Sequence, residues 1–445
     1  IERTKSAGMK TIIDFIPNHV SRDYKSLNKS KGVQDFGAKD DTNQSFNPQN
    51  NYYYIPGQEL KLDFCPEQKY VENPAKFSGN DCFHAHPQIN DWYETIKLNY
   101  GVDVQNNYQQ HFSPIPNTWE RMLEILKYWT AKGIHGFRCD MVEMVPVAFW
   151  SWVIPQIKSI NPEMLFIGEV YQPHLYEAYI KEGKFDYLYD KVGLYDQVKA
   201  VIREEKPAST ISDSWKSLQG LDEYMLRFLE NHDEQRIPSD NFAGQAEKAI
   251  SAMMLSATIH TGPIMTYFGQ EFGEEAKGST GFSGDDDRTT IFDYWNVETI
   301  QKWRGKSGYS GSGLKPSQKL LQKEYQKILK LSINNSTIAN GEFYDLMWAN
   351  RNNHHFYHNH VFAYFRSYKK KALLFILNFS NKTLNQRVII PGHALEFSQK
   401  DTTKLKDQVF KNVFTKENIR LPYYTMVNEG LSVNLNPYYY QVFEF

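Results

Sequence analysis

Between about residues 117 and 335 the sequence repeats one structural unit, which consists of an amphipathic helix, a short loop, a short apolar strand and a polar loop. This repetition limits the folds that the chain can adopt. The apolar periodicity predicts helices over 118–131, 146–160 and 315–332. It predicts strands over 134–139, 164–168, 185–189, 224–229 and 264–268. Alternation of strand and helix at this spacing predicts parallel strands joined by helical crossovers.

The chain departs from this pattern on both sides of the array. A buried strand predicted over 11–16 is followed, after His19, by about 95 residues rich in polar residues and tyrosine, too long for a plain loop. From about residue 338 only alternating strand patterns broken by turn residues occur. We therefore predict a main α/β domain over 1–19 and 116–335, an inserted domain over 20–115 and an antiparallel β-sandwich over 336–445.

A parallel β/α array can form a doubly wound sheet or a closed barrel. No G-x-G-x-x-G sequence and no P-loop sequence follows any predicted strand, so nucleotide binding has no support. Polar clusters instead follow the C-terminal ends of four strands, which is where a (β/α)8 barrel builds its active site. We therefore predict an α/β fold of the (β/α)8 type for the main domain.

The four clusters share acidic, basic and amide side chains directly after apolar runs. They are DFIPNH with Asp14, Asn18 and His19; GFRCD with Arg138 and Asp140; FIGEV with Glu169; and FLENHDEQR with Asn231, His232, Asp233 and Arg236. Each cluster alone could be a salt bridge or a polar cap at a strand end. An apolar core does not need four of them at successive strand ends, so together they predict an active site.

The residue types in these clusters indicate glycosidase chemistry. Strand alternation puts Arg138 and Asp140 on one face, where the arginine keeps the aspartate ionised, as a nucleophile requires. Glu169 follows an apolar run with no adjacent cation in the sequence, which favours a protonated general acid. Two carboxylates in unlike environments, with histidines to bind sugar hydroxyls, are typical of a retaining glycosidase.

In this order the clusters resemble the conserved regions of the alpha-amylase family, glycoside hydrolase family 13. GPIMTYFGQE at 262–271 looks like the family's eighth-strand segment, and KLNYG at 97–101 looks like its segment late in the inserted domain. The resemblance implies a catalytic triad: Asp140 as nucleophile, Glu169 as general acid/base and Asp233 as transition-state stabiliser. It also implies that His19 and His232 bind the glucose at the cleaved bond and that Arg138 orients the nucleophile. Arg138 and three further residues of the same clusters are candidate substrate-binding residues as well: Asp14, Asn231 and Arg236.

The activity implied is hydrolysis of alpha-1,4-glucosidic bonds in starch or maltooligosaccharides through a covalent glycosyl-enzyme intermediate. A transglycosylase or a disaccharide isomerase of the same family is the alternative, because the shape of the acceptor loop decides between them. A non-catalytic sugar-binding homologue is disfavoured, since all three triad positions are kept. By the same resemblance the first two barrel strands precede residue 1, and we expect the true N-terminus to lie outside this sequence.

Three positions depart from the family in ways that affect chemistry. Many members bind calcium between the main and inserted domains; Asn18 is kept, but Lys97 replaces an aspartate and Met144 a histidine. An ammonium and a thioether suit a hard cation poorly, so we predict no calcium at this position. Calcium elsewhere in the protein stays open, and we predict no other cofactor. Glu143 stands where many members have a lysine near the leaving group. The Asp285–Asp286–Asp287 run could bind an ion, but a solvated loop is favoured.

Cysteine and histidine patterns leave several alternatives open. Cys65 and Cys82 could form a disulfide or remain buried thiols, and Cys139 is expected to be a buried thiol. The Cys82-x-His84-x-His86 spacing resembles a zinc motif, although an irregular loop is favoured. A polar hairpin is likewise favoured over a metal site for the histidine run: His354, His355, His358 and His360.

Charge and hydropathy restrict the partners. The net charge is -2 without a long basic run, which argues against nucleic acid or an anionic membrane as a partner. No apolar stretch reaches the roughly 18 residues that span a bilayer. We expect a monomer whose partner is an alpha-glucan or a maltooligosaccharide. Compartment cannot be read without the N-terminus, although an extracytoplasmic location is favoured over a cytoplasmic one.

Overall fold

The computed structural model describes residues 1–27, 29, 31–67, 69–218, 220–276, 287–289, 291, 297–306, 308–399 and 406–445. These residues form two compact units, which comprise residues 1–189 and 190–445. The three domain boundaries expected from the sequence are not tested by this division and stay a prediction. No helix formed by the described residues is long and apolar enough to cross a membrane.

The first unit contains short strands and helices in alternation after an irregular insert. Its strands are β1 Ile12–Phe15, β2 His19–Ser21, β3 Tyr54–Ile55, β4 Ala75–Lys76, β5 Thr95–Lys97, β6 Val102–Asp103, β7 Gln109–Gln110, β8 Gly136–Cys139, β9 Leu165–Gly168 and β10 Tyr187–Tyr189. Its helices are α1 Glu2–Ser6, α2 Asn117–Ala131, α3 Val147–Ile160 and α4 Tyr176–Lys181. The predicted helices α2 and α3 agree with these bounds to within one residue.

Strands β1, β8, β9 and β10 pair in that order, and all three pairings are parallel, as predicted. The register aligns Phe15 with Cys139, and Cys139 with Gly168. Because these aligned residues are the last of their strands, the polar residues that follow them emerge at one edge of the sheet. The register therefore brings together the sequence clusters that follow β1, β8 and β9.

Aromatic packing holds this sheet against its crossover helices. Phe137 of β8 and Phe166 of β9 are fully buried, and their rings stack at 5.5 Å. Trp150 of α3 is also fully buried and meets Phe15 edge to face at 6.3 Å. Large rings bury the most apolar surface per residue, so these contacts stabilise the sheet whose edge carries the polar clusters.

The insert between β2 and α2 has little regular structure, in agreement with its sequence. Its strands form two-stranded antiparallel ladders, β2 with β5, β3 with β4, and β6 with β7. A small apolar core lies beneath them, in which Tyr53 and Phe77 stack at 5.2 Å and pack with Leu60. An apolar core of its own explains how so polar a segment holds a defined shape.

The second unit begins with helices and ends in β-structure. Its helices are α5 Asp196–Ile202, α6 Ile211–Leu218, α7 Ile250–Thr258, α8 Glu298–Arg304, α9 Pro316–Asn334, α10 Ser336–Ala339, α11 Met347–Asn350, α12 Gly392–Phe397 and α13 Tyr423–Asn428. Its strands are β11 Met225–Leu226, β12 Glu342–Asp345, β13 Val361–Tyr368, β14 Lys371–Asn378, β15 Leu384–Val388, β16 Asp407–Asn412, β17 Asn418–Pro422, β18 Leu431–Leu435 and β19 Tyr440–Glu444. Among the described residues, six C-terminal strands pair antiparallel in the order β12-β13-β14-β19-β16-β17, and β15 pairs with β18.

The strand predicted over 264–268 is much shorter in the structure. It is reduced to one parallel bridge, Ile264 with Arg227. A turn competes for the backbone that follows, because the Gln270 side chain accepts a hydrogen bond from the Tyr267 amide at 3.0 Å. The Gln270 amide in turn donates to the Tyr267 carbonyl, also at 3.0 Å, so the chain leaves the extended conformation there.

Removing one core ring should destabilise the first unit measurably. We expect Phe166→Ala to lower the free energy of unfolding by about 3–5 kcal/mol, the usual cost of deleting a buried aromatic side chain. Ile89→Ala is the control, because Ile89 is 63% exposed and its loss should change stability by less than about 0.5 kcal/mol. Urea unfolding followed by fluorescence measures both, and equal effects would contradict the proposed core.

Candidate active site

The guanidinium of Arg138 joins three carboxylates that follow or end neighbouring strands. Its Nη1 lies 2.7 Å from Asp140 Oδ1 and 3.1 Å from Asp14 Oδ1. Its Nη2 lies 2.9 Å from Glu169 Oε1. Since β1, β8 and β9 are adjacent, one planar cation can bind an acid from each of them. The structure thus brings together four of the residues singled out in the sequence.

Tyr189, at the end of β10, completes the surroundings of Arg138. Its hydroxyl accepts a hydrogen bond from Arg138 Nε at 3.1 Å, and the guanidinium lies 5.5 Å from the centre of its ring. Burial alone would lower the pKa of Arg138, but Tyr189, Glu169, Asp14 and Asp140 outweigh it and raise that pKa. Arg138 therefore stays positively charged although it is largely buried.

Glu169 is 3% exposed and receives hydrogen bonds on both carboxylate oxygens. The Met141 amide donates to Oε2 at 2.9 Å, and the Tyr171 hydroxyl donates to Oε1 at 2.6 Å. The expectation of an apolar environment without an adjacent cation is wrong for this residue, because Arg138 contacts it. The cation comes from the neighbouring strand, so the residues next to Glu169 in the sequence do not reveal it.

Glu143 fixes the loop that carries Tyr171. One of its oxygens, Oε2, accepts hydrogen bonds from the Tyr171 and Gln172 amides, each at 3.1 Å. Sequence reasoning missed Tyr171 and Tyr189 as site residues. Their positions could have indicated them, since Tyr189 ends a predicted strand and Tyr171 lies two residues after Glu169, on the same side of an extended chain.

The residues at the family's usual calcium position form an internal ion pair. Lys97 is buried, and its ammonium donates to Asn18 Oδ1 at 3.0 Å and pairs with the Asp81 carboxylate. Met144 ends the turn Val142–Met144 and offers only a thioether. Asn18 Oδ1 thus already binds a cation belonging to the chain, so these residues do not fit calcium.

His19 lies opposite Lys97 in the ladder of β2 and β5. Its ring is 5.3 Å from that of Trp92, and its Nδ1 is 3.4 Å from Asn18 Nδ2. Burial and, secondly, the Lys97 charge lower the pKa of His19 from 6.5 to about 4. The imidazole is therefore neutral near pH 7 and can both donate and accept a hydrogen bond.

In the second unit, Asn231, His232 and Asp233 lie in the loop after β11. The buried Asn231 side chain accepts hydrogen bonds through Oδ1 from the Asp233 and Glu234 amides, each at 2.9 Å. His232 Nε2 lies 3.1 Å from Asp233 Oδ2. Asn231 therefore shapes the turn that presents the other two side chains.

Arg236 differs from the other candidates for substrate binding. It is fully buried, and its guanidinium donates to Glu230 Oε2 at 2.8 Å, Thr289 Oγ1 at 2.8 Å and the Phe268 carbonyl at 3.0 Å. Its guanidinium also lies 4.2 Å from the Tyr267 ring centre. These contacts indicate a structural role for Arg236 instead of the direct sugar contact expected from the sequence.

The cysteines are unbridged, so Cys65 and Cys82 do not form the disulfide left open by the sequence, and Cys139 is a buried thiol as expected. Among the described residues, the side chains of Cys82, His84 and Asp91 bring together three donor atoms that could hold a metal ion, and the histidines of 354–360 form no such group.

The aspartate run at 285–287 is only partly described, because Asp285 and Asp286 lie outside the described residues. Asp287 accepts a hydrogen bond from Asn241 Nδ2 at 2.7 Å.

Residues 1–302 match the family model described as the catalytic domain of alpha-amylase. "Alpha-amylase 3" of Dictyoglomus thermophilum is 24% identical over 250 residues, 51% of this chain and 48% of that protein. "Alpha-1,4-glucan:maltose-1-phosphate maltosyltransferase" of Cereibacter sphaeroides is 24% identical over 125 residues, 26% of this chain and 17% of that protein. The chain thus spans less than half the length of these curated relatives.

A solved structure extends the likeness to the whole chain. Alpha-amylase from Geobacillus thermoleovorans, complexed with acarbose, superimposes with a TM-score of 0.62 at 17% identity, covering 100% of this chain and 79% of that one. Together with the family model, this likeness confirms the predicted fold class, a (β/α)8 barrel type with a C-terminal β domain.

The environment of His19 can be measured directly. We expect His19 to titrate near pH 4, and the Lys97→Met variant to show a higher value that stays below 6.5 because burial remains. In the unfolded chain His19 should be protonated near pH 6.5. Protonation of His19 therefore lowers the free energy of unfolding as the pH falls from about 6.5 to 4, and has no effect on stability above pH 6.5.

NMR titration of histidine ring protons measures both values, with the exposed Lys39→Met as control. A His19 pKa near 6.5 in the parent protein, or one unchanged by loss of Lys97, would contradict the assigned cause.

Proposed function

The chain belongs to the alpha-amylase family, and on that premise we propose that it is a retaining glycoside hydrolase acting on alpha-1,4-glucosidic bonds of starch or maltooligosaccharides. The observation that carries the proposal is the contact of Arg138 with both Asp140 and Glu169. Retaining hydrolysis needs one carboxylate to attack and another carboxyl group to exchange a proton. A shared guanidinium fixes the positions of both.

Asp140 is the proposed nucleophile. Arg138 binds it through Oδ1, which leaves Oδ2 as the oxygen that we assign to attack on the anomeric carbon. A bond forms between that carbon and Asp140 as the bond to the leaving glycosidic oxygen breaks, and Glu169 gives its proton to that oxygen. Water then attacks the glycosyl-enzyme, passes a proton to Glu169 and releases the Asp140 carboxylate.

Tyr171 suits the two protonation states that Glu169 must adopt. A phenol hydroxyl can donate to a carboxylate and accept from a carboxylic acid. The contact at 2.6 Å can therefore persist when Glu169 gains or loses its proton. Glu143 holds the backbone of Tyr171 in place, so we assign both Tyr171 and Glu143 as positioning residues for the acid/base.

The remaining roles concern the sugar itself. We propose that Asp233 stabilises the positive charge that develops on the sugar ring, and that His19 and His232 bind its hydroxyls. The low pKa of His19 supports this role, since a neutral imidazole adds no positive charge to a site where an oxocarbenium-like sugar forms.

Transfer to a sugar acceptor is the second candidate, because a maltosyltransferase is among the relatives. Glu143, which replaces a lysine common in the family, lies in the loop next to the acid/base and is the residue we associate with this choice. A hydrolase passes the glycosyl group to water whether or not free sugar is present. A transferase forms longer oligosaccharides when maltose is added.

We expect the protein to release reducing sugar from soluble starch and from maltoheptaose. Asp140→Asn and Glu169→Gln should each reduce the rate by at least about a thousandfold, because each removes a group that takes part in bond making or proton transfer. Circular dichroism of all three proteins controls for folding. If the folded parent protein releases no reducing sugar from either glucan, the proposal of alpha-glucan hydrolysis is wrong. If longer oligosaccharides form when maltose is added, transfer to a sugar acceptor becomes the proposed activity.

The Tyr171→Phe variant tests the positioning of Glu169. Loss of one hydrogen bond to a charged group, worth about 1.5–3 kcal/mol, should lower kcat about 10- to 100-fold with a smaller change in KM. The basic limb of the pH–rate profile should move, because that limb reports deprotonation of the acid. Tyr108→Phe, at an exposed tyrosine, is the control. If the pH–rate profile of Tyr171→Phe matches that of the parent protein, Tyr171 only packs in the site and does not position Glu169.

Calcium should be dispensable for this activity. Because the Lys97 ammonium binds Asn18 Oδ1, we expect the rate on maltoheptaose to be unchanged in EGTA. Thermal unfolding with and without added calcium gives a second measurement, and the midpoints should coincide. Loss of activity in EGTA that calcium restores and zinc does not would show that a calcium site exists elsewhere in the protein.

A further inference from the structure

A buried thiol, an imidazole and a carboxylate converge in the insert, away from the Arg138 network. Cys82 Sγ lies 3.5 Å from His84 Nε2, and the donor atoms of Cys82, His84 and Asp91 all lie within 4.8 Å of one another. We propose that these three residues bind one zinc ion, with water as the fourth ligand.

The distances suit tetrahedral zinc. Zinc binds thiolate sulfur at about 2.3 Å and imidazole nitrogen at about 2.0–2.1 Å, so tetrahedral angles put these two donors about 3.5 Å apart. The observed separation of Cys82 Sγ and His84 Nε2 is 3.5 Å. A set of one sulfur, one nitrogen and one oxygen donor favours zinc over calcium or magnesium, which prefer oxygen ligands throughout.

The carboxylate is held in place by neighbours that are not themselves ligands. Asn80 Nδ2 donates to Asp91 Oδ1 at 2.9 Å, and the Gln88 amide donates to Asp91 Oδ2 at 2.6 Å. Metal-binding carboxylates are commonly oriented by such outer hydrogen bonds. The backbone bridge between Ser78 and Cys82 fixes the cysteine in the same loop.

The structure selects a different third ligand from the one that the sequence spacing suggests. His86 would complete a Cys-x-His-x-His pattern, but its Nδ1 lies 3.2 Å from Asp63 Oδ2 at the surface. Asp91, five residues further along the chain, takes the third position beside Cys82 and His84. The two assignments therefore make opposite predictions for variants of His86 and Asp91.

The ion would brace a loop that contacts the proposed sugar-binding histidine. Gly79, three residues before Cys82, accepts a hydrogen bond through its carbonyl from Asn18 Nδ2 at 2.7 Å. Trp92, directly after Asp91, packs against His19. The role is structural, since zinc would close the loop between Cys82 and Asp91. Binding requires the thiolate, so the Cys82 proton passes to solvent as the sulfur–zinc bond forms.

Zinc binding is measured on the metal-stripped protein by competition with a chromophoric chelator, with metal analysis after gel filtration. We expect one zinc per chain and at least a tenfold weaker affinity in Cys82→Ser, His84→Ala and Asp91→Ala. His86→Ala and Cys65→Ser are matched controls and should bind like the parent. His84 is exposed, so His84→Ala is expected to fold, and circular dichroism checks this for each variant.

Cobalt provides a readout that does not depend on affinity. Cobalt(II) added to the parent should give a thiolate charge-transfer band in the near ultraviolet, absent in Cys82→Ser and present in Cys65→Ser. Zinc should raise the melting temperature of the parent and leave that of Cys82→Ser unchanged. Any of three results would overturn the proposal. The parent protein could fail to bind zinc at micromolar concentration, the Cys82→Ser variant could still bind zinc, or His86→Ala could lose zinc binding while Asp91→Ala keeps it. None of these readouts depends on glucan hydrolysis.

Discussion

Three carboxylates share one guanidinium at the edge of the parallel sheet in the first unit, and the arrangement of the polar residues at that edge depends on this contact. Asp14, Asp140 and Glu169 would repel one another if brought together without a cation, and Arg138 removes that cost by binding all three. The arrangement depends on parallel register, since a slip of one residue would turn Arg138 to the opposite face of the sheet. Tyr189 then holds the guanidinium from the next strand.

A second feature of the insert is the buried positive charge of Lys97. The ammonium of Lys97 lies between Asn18 and Asp81, at the position where the family resemblance implies calcium in many members. A lysine supplies positive charge that does not depend on the concentration of free metal. Burial is the main cause of the low pKa of His19, and the same ammonium lowers that pKa further. Structure and electrostatics are coupled there through one side chain.

Sequence reasoning succeeded where the deciding interactions are local and failed where they cross between strands. Apolar periodicity located helices α2 and α3, because burial of one helix face is visible in the residues themselves. The environment of Glu169 was misjudged because its cation lies on a neighbouring strand. Arg236 was grouped with the sugar-binding residues on position alone, and only its burial indicates a structural role.

The amino-acid sequence by itself determined the parallel β/α pattern, the irregular insert, the antiparallel C-terminal strands and the identity of the acids at the strand ends, because each follows from residue type and spacing along the chain. Only the tertiary structure decided which groups touch: that Tyr171 bonds Glu169, that Lys97 binds Asn18 and that Asp91, not His86, joins Cys82. Contacts between residues far apart in the chain depend on strand register and loop path, which no local pattern records.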